Sequence, residues 1–277
     1  MAVIVRRAPA PPPLLTVVGS LMRARRVVQR NMLVYSHSWI VLVSGFFEPL
    51  FYLLGIGFGL GSLIGKIDLL PGPAVFEVPF AAFVAPGLLA MSAMNGAIAE
   101  TIFNVFFKLN YEKTYEGMLA TPLGIREIAL GELLWSLMRG GLYATAFIAV
   151  MLAMGLVFSW WTVLVLPAAI LLGAAFSAAG LATTTFLRTV QDFDLPMGLV
   201  VMPMFLFSGV FFPIAVYPIV IQAIMQVIPL YRGVHLLRSL TTGVIDLTVL
   251  VDVGYLLAFF AVAITIAMRR METRLIQ

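Results

Sequence analysis

Between Phe205 and Leu240 the chain reads FLFSGVFFPIAVYPIVIQAIMQVIPLYRGVHLLRSL, a run apolar enough to sit in a bilayer. Pro213, Pro218 and Pro229 interrupt it. Each proline removes a backbone donor and breaks a helix interior. A lipid-exposed helix has no water to satisfy the carbonyls set free, so the run is not one plain spanning helix. The expected form is a helix ending near Phe212, then short apolar pieces that dip into the membrane or lie along its surface. A polar exit follows at Arg232, His235 and Arg238. Broken helices occur at membrane depth where they are buried in protein or line a water-filled cavity. That points to a transport protein.

Composition narrows the class. The chain is 62% hydrophobic and 11% charged, against roughly a quarter charged in a soluble domain, which makes it a polytopic membrane protein. It has no cysteine, and so no disulfide framework, thiol nucleophile or zinc–thiolate site. The net charge of +4 fits basic cytoplasmic loops rather than nucleic-acid binding. The run GLGSLIGK at 59–66 imitates a phosphate loop. Its spacing from Gly61 to Gly65 and Lys66 is one residue short, however, and Ile67 replaces the required Ser or Thr. No HExxH or nucleophile constellation argues for an enzyme, and His37 and His235 stand too far apart in topology for a shared metal site.

Residues 1–13 read as a disordered cytoplasmic tail. Residues 14–35 form an amphipathic pattern, with Leu14, Leu21, Val28 and Met32 on one face and Arg23, Arg26 and Arg30 on the other. A helix on the membrane surface is expected, with Arg25 nearer the apolar side and snorkelling. Six spans follow, near 39–60, 80–107, 133–158, 161–187, 195–212 and 249–268, each about a bilayer long. Residues 66–79 read as a loop, and 108–127 as the longest polar segment, with a short helix near 110–120 stopped by Thr121 and Pro122. Glu48 and Glu100 fall within spans, where a carboxylate is costly and should face protein or water. The small residues from Gly173 to Gly180 suggest close helix packing. With six spans both termini share one side. That side collects 14 of the 17 Lys and Arg residues, which makes it cytoplasmic and turns 213–240 outward.

Four stretches in order resemble ABC-2-type transporter permeases: FFEPLFYLLGIGFGLG at 46–61, FVAPGLLAMSAMNGAIAETIF at 83–103, YEKTYEGMLATPLGIREIALGELLW at 111–135, and FSGVFFPIAVYPIVIQAIMQVIPLYRGVHLLRSL at 207–240. Within that family the chain is most similar to permeases of nodulation-factor and daunorubicin-type drug exporters. The resemblance implies an all-α six-helix domain over 36–277, with 14–35 as an interface helix and a re-entrant segment before the last helix. It implies an export subunit for an amphipathic cargo in the bacterial cytoplasmic membrane, working with a second copy and a separate ATP-hydrolysing subunit. ATP and Mg would belong to that partner, with no cofactor on this chain. Tyr111, Glu112, Thr114, Tyr115 and Glu116 would form the coupling helix on the ATPase. Pro213, Pro218, Pro229 and Arg232 would belong to the outward gate. Glu48 and Glu100 would line the path or pair with Arg139, or make a purely structural pair. An ion-coupled secondary transporter using Glu48 and Glu100 is the alternative.

Overall fold

The computed structural model describes residues 13–36, 47–68 and 77–276. The expected N-terminal tail, the opening of the first span, His37, and Pro71 and Pro73 of the expected loop lie outside them. Helix α1 (Pro13–Ser36) covers the expected interface helix. Among the described residues, five helices are long and apolar enough to cross a membrane. These are α2 (Phe47–Ile64), α3 (Phe80–Asn110), α5 (Ile125–Ala153), α6 (Trp160–Thr184) and α10 (Thr248–Ile276), which the spanning stretch Thr248–Leu275 almost fills. Helix α4 (Thr114–Leu119) lies in the polar segment between α3 and α5. The protein is an all-α membrane protein, with one small hairpin among the described residues.

That hairpin corrects the loop expected at 66–79. Strands β1 (Lys66–Asp68) and β2 (Glu77–Pro79) pair antiparallel, with Lys66 opposite Pro79, and Lys66 meets Glu77 at 3.4 Å. Pro79 donates no backbone bond, which suits the end of a strand, and it passes straight into α3.

The expected fifth span is also corrected. In place of a helix over 195–212, α7 consists of a π-helical turn at Leu195–Val201 and an α-helical piece at Met202–Leu206. It stops well short of the roughly 20 residues that cross a bilayer. Pro203 removes one donor from its last turn. The chain enters α7 through a capping box in which Thr189 and Asp192 satisfy each other's backbone. The N–H groups of Arg188 and Thr189 donate to the Asp192 carboxylate and hold it below the usual aspartate range.

The proline-broken segment is built as three pieces. Pro213 precedes a single 3-10 turn at Ile214–Val216. Pro218 precedes α8 (Ile219–Val227), and Pro229 opens α9 (Pro229–Thr242). A proline at the first helical position loses nothing, because that N–H has no intrahelical partner. The residue before it is pushed out of the helical region. Ile228 accordingly sits at φ −73°, ψ 123°, and α8 and α9 meet at 88°.

The core lies where α3 and α6 cross. A Cβ on Gly180 would stand 2.0 Å from Thr101 Oγ1, so only glycine lets α6 approach α3 this closely. Thr184 Oγ1 donates to the Thr101 carbonyl at 2.7 Å, and the Ser136 and Ser177 hydroxyls join α5 to α6 at 2.7 Å. Helices in lipid associate through such small-residue contacts and hydroxyl bonds, since apolar burial favours them no more than lipid does. The last carbonyls of α6 have no partner within the helix. Arg274, near the end of α10, donates to the carbonyls of Thr185 and Leu187 at 3.0 and 2.8 Å.

Candidate functional site

Among the described residues, three polar clusters stand out in this apolar frame. The first joins α1, α3, α4 and α5. Ala24, Val27 and Asn31 recur at helical spacing on the inner face of α1 and are buried. A Cβ on Gly131 of α5 would lie 2.5 Å from Val27 Cβ, so the two helices meet at a glycine. Glu132, the next residue, has no exposed side-chain surface and receives Lys108 Nζ at 2.8 Å. Asn31 Nδ2 donates to the same carboxylate at 2.9 Å and the Tyr115 hydroxyl at 3.1 Å. One carboxylate thus gathers four elements, and every oxygen is used, as burial of a charge demands. Burial, and then the Glu132 carboxylate, push the Tyr115 hydroxyl far above its ordinary range, so it stays a donor. Nearby, Arg23 and Ser20 of α1 donate to Glu127 at 2.8 and 2.9 Å, fastening the start of α5.

This geometry redraws the expected coupling helix. It is shorter than 110–120, because α3 continues to Asn110 and Lys113 turns the chain at φ 51°. Tyr111, Glu112 and Glu116 are exposed and Thr114 is half-buried. Tyr115 is the correction: it is fully buried and points to Glu132, so it has no surface to offer a docking protein.

The second cluster is intramembrane. Glu100 is buried on a π-helical turn of α3, Ala99–Asn104, and forms an ion pair with Arg139 of α5. Asn104 donates to Glu100 at 3.0 Å and to the Tyr35 hydroxyl at 2.7 Å. Arg139 lies over the rings of Tyr35 and Tyr143 at 5.3 and 5.6 Å. The Tyr35 hydroxyl lies 3.4 Å from a Glu100 carboxylate oxygen, so α1 reaches this cluster as well. Of the two expected carboxylates, Glu100 meets Arg139 and Glu48 does not. Glu48 is exposed at the start of α2 and lines a cavity of 310 Å³ together with Ser92, Asn95, Arg139 and Tyr143.

The third cluster secures the broken segment. Arg232 NH1 donates to Asp252 of α10 at 3.1 Å, and His235 Nδ1 lies 2.6 Å from the other carboxylate oxygen. Arg232 Nε also reaches the Gln226 carbonyl at 2.7 Å, across the bend from α8. Arg238 donates to the carbonyls of Phe83, Gly209 and Val210 at 3.0, 2.9 and 3.2 Å and lies over the Phe83 ring at 3.7 Å. Pro213, Pro218 and Pro229 therefore set where the backbone turns, and the arginines set what the turned pieces rest on.

The sequence-level reading missed Asn31, Lys108 and Glu132 as a set, and Asp252 altogether. A carboxylate inside an apolar run was the available signal. Glu132 stands immediately before Leu133, Leu134 and Trp135 in such a run, but its partners are supplied by three other helices.

The comparisons agree with this architecture. The sequence profile of the ABC-2 type transporter family matches residues 23–241. Nodulation protein J of Rhizobium leguminosarum bv. viciae is 30% identical, covering 91% of this chain and 94% of that protein. Nodulation protein J of Sinorhizobium fredii is 34% identical over 76% of this chain and 78% of its own length. The inner membrane transport permease YadH of Escherichia coli is 28% identical over 64% of this chain and 69% of its own. With its multi-pass helical bundle, its proline-broken segment and this match over most of its length, the chain belongs to the ABC-2 type transporter family of membrane permeases.

Proposed function

We propose that this chain is the transmembrane subunit of an ATP-binding-cassette exporter that moves an amphipathic cargo, a lipid, glycolipid or drug, outward across a bacterial cytoplasmic membrane. Two copies act with two cytoplasmic ATPase subunits, which hold ATP and Mg. This chain binds neither cofactor nor nucleic acid. The observation that carries the reading is the Glu132 junction. It fastens the exposed loop helix α4 through Tyr115 to α1, α3 and α5 at once. A push on α4 from an ATPase is then delivered to three elements rather than absorbed in a loop, a rigid-body route to inward- and outward-open states. Glu112, Thr114, Glu116 and Tyr111 supply the docking face. The exposed Leu21, Met22, Met32 and Leu33 of α1 rest in lipid, with Arg25 and Arg26 at headgroup level. The ion-coupled alternative loses ground because Glu100 is committed to Arg139.

Charge reversal at Glu112 and Glu116 together tests the docking. Both are exposed, so membrane insertion is expected to be unchanged, while steering by opposite charge is lost. Co-purification with the ATPase subunit and cargo-stimulated ATP hydrolysis should both fall. If neither changes, α4 is not the docking element.

The same reading places α4 and the C-terminus in the cytoplasm and the β1–β2 hairpin and the broken segment outside, on the arginine and lysine bias. Single cysteines are simple to interpret in a chain that has none. An impermeant label should react with a cysteine at Gly72 in intact cells and not with one at Glu116. The reverse pattern would invert the orientation.

A further inference from the structure

The cavity that Glu48 shares with Ser92, Asn95, Arg139 and Tyr143 is walled by the start of α2, the middle of α3, the middle of α5 and the start of α7. A second, wider trough of 820 Å³ opens beside it, lined by Phe47, Glu48, Phe51, Tyr52 and Ile56. Glu48 is the residue common to both. On one side of it lie polar groups, and on the other aromatic rings, with Phe47 and Phe51 stacked at 5.9 Å.

The lining carries one carboxylate, Glu48, and one guanidinium, Arg139. Arg139 is neutralised by Glu100, which lies behind it with almost no exposed surface. Glu48 has no hydrogen bond or ion pair among the described residues. The cavity therefore carries one uncompensated negative charge, set at the mouth of an aromatic trough. A carboxylate within a span is costly until a partner meets it. Aromatic faces favour a cation beside them and an apolar body upon them. An anionic head would be repelled, and a neutral one would leave the carboxylate unmatched.

We infer that Glu48 is the head-group recognition residue of an entry site for a cationic amphiphile, an organic ammonium or phosphonium bearing an apolar body. The cation pairs with Glu48, and the body lies along Phe47, Phe51, Tyr52 and Ile56. The inference rests on the exporter reading and adds the charge class of one cargo that the site accepts.

The test uses the permease with its ATPase subunit in lipid nanodiscs. Tetraphenylphosphonium is the probe, and tetraphenylborate its anionic counterpart of similar shape. Wild type is expected to bind the phosphonium about tenfold more tightly than Glu48→Gln does, the effect of losing one Coulombic contact in a partly desolvated site. Glu48→Asp should retain most of the affinity, and tetraphenylborate should gain nothing from Glu48. Glu48 is exposed, so the Gln variant should unfold at the wild-type temperature. Equal phosphonium binding by wild type and Glu48→Gln overturns the inference, as does no binding by either. Disulfide formation between copies through a cysteine at Phe51, with the probe then excluded, would assign the trough to a permease dimer and also overturn it. The exporter reading fails separately. If the Glu112 and Glu116 reversals leave ATPase docking intact while phosphonium binding still depends on Glu48, the docking assignment falls and the site stands.

Discussion

Replacing Glu132 with alanine is expected to destabilise the protein by about 3–5 kcal/mol, because it strands a buried charge. The Lys108 side chain is 9% exposed and Glu132 is not exposed at all. Without the carboxylate, the Lys108 ammonium, the Asn31 amide and the Tyr115 hydroxyl all lose an acceptor. A lower unfolding temperature in detergent and a lower yield of folded permease are the direct measurements. A paired substitution, Lys108→Met with Glu132→Leu, separates stability from coupling. Exchanging a buried ion pair for apolar residues of similar volume is often neutral, but the buried Asn31 amide and Tyr115 hydroxyl stay without this acceptor, so only part of the stability should return. Tyr115 would still lack its partner, leaving α4 loosely held, and export should stay low although the ATPase subunit binds. A Glu132→Ala variant that unfolds at the wild-type temperature would remove the junction from the account. Full export by the double variant would keep the junction as a structural feature and end its role in transmission.

Replacing Pro213, Pro218 and Pro229 together with alanine should abolish export while ATP hydrolysis by the complex continues at least in part. A continuous helix through these positions is disfavoured by about 3 kcal/mol for each proline in its interior. Alanine lifts that penalty and also frees Ile228 to turn helical. The 88° bend between α8 and α9 would then compete with a straight helix over 219–242, long enough to span a bilayer. Opposing this are the contacts of Arg232 and His235 with Asp252 and of Arg238 with three carbonyls. Straightening would break several of them and draw α9 away from α10 and α3. Insertion should survive, because the apolar content is unchanged. Cargo export and ATPase rate measured side by side in reconstituted vesicles decide the matter. Wild-type export from the triple variant would show that the prolines merely punctuate an outer turn.

Much of this was legible in the sequence, for local reasons. Apolar length marks a spanning helix wherever it occurs, which is why the expected spans at 80–107 and 161–187 fall on α3 and α6. A proline acts on its own residue and the one before it, and the breaks at 213, 218 and 229 became helix starts. The alternation along 14–35 marked α1, although its inner face of Ala24, Val27 and Asn31 is set by α5 rather than by lipid. The fifth span was overread because hydropathy carries on through Phe207–Phe212, whereas the backbone turns at Gly209, φ 72°. The two short strands were missed because three-residue pairing leaves almost no periodic signal.

The functional chemistry was decided in three dimensions. Glu48, Glu100 and Glu132 are alike on paper, each a carboxylate in an apolar run. Tertiary structure gives Arg139 to Glu100 and Lys108 to Glu132, and leaves Glu48 facing a cavity. Tyr115 looked like its exposed neighbours Glu112 and Glu116, yet it turns inward because Glu132 offers the acceptor its hydroxyl needs. Segment length, proline breaks and charge bias arise from each residue's own transfer energy and backbone, so the sequence alone determines them. Which charge meets which depends on how each helix is rotated and how closely glycines such as Gly131 and Gly180 let it approach, and no single segment contains that information.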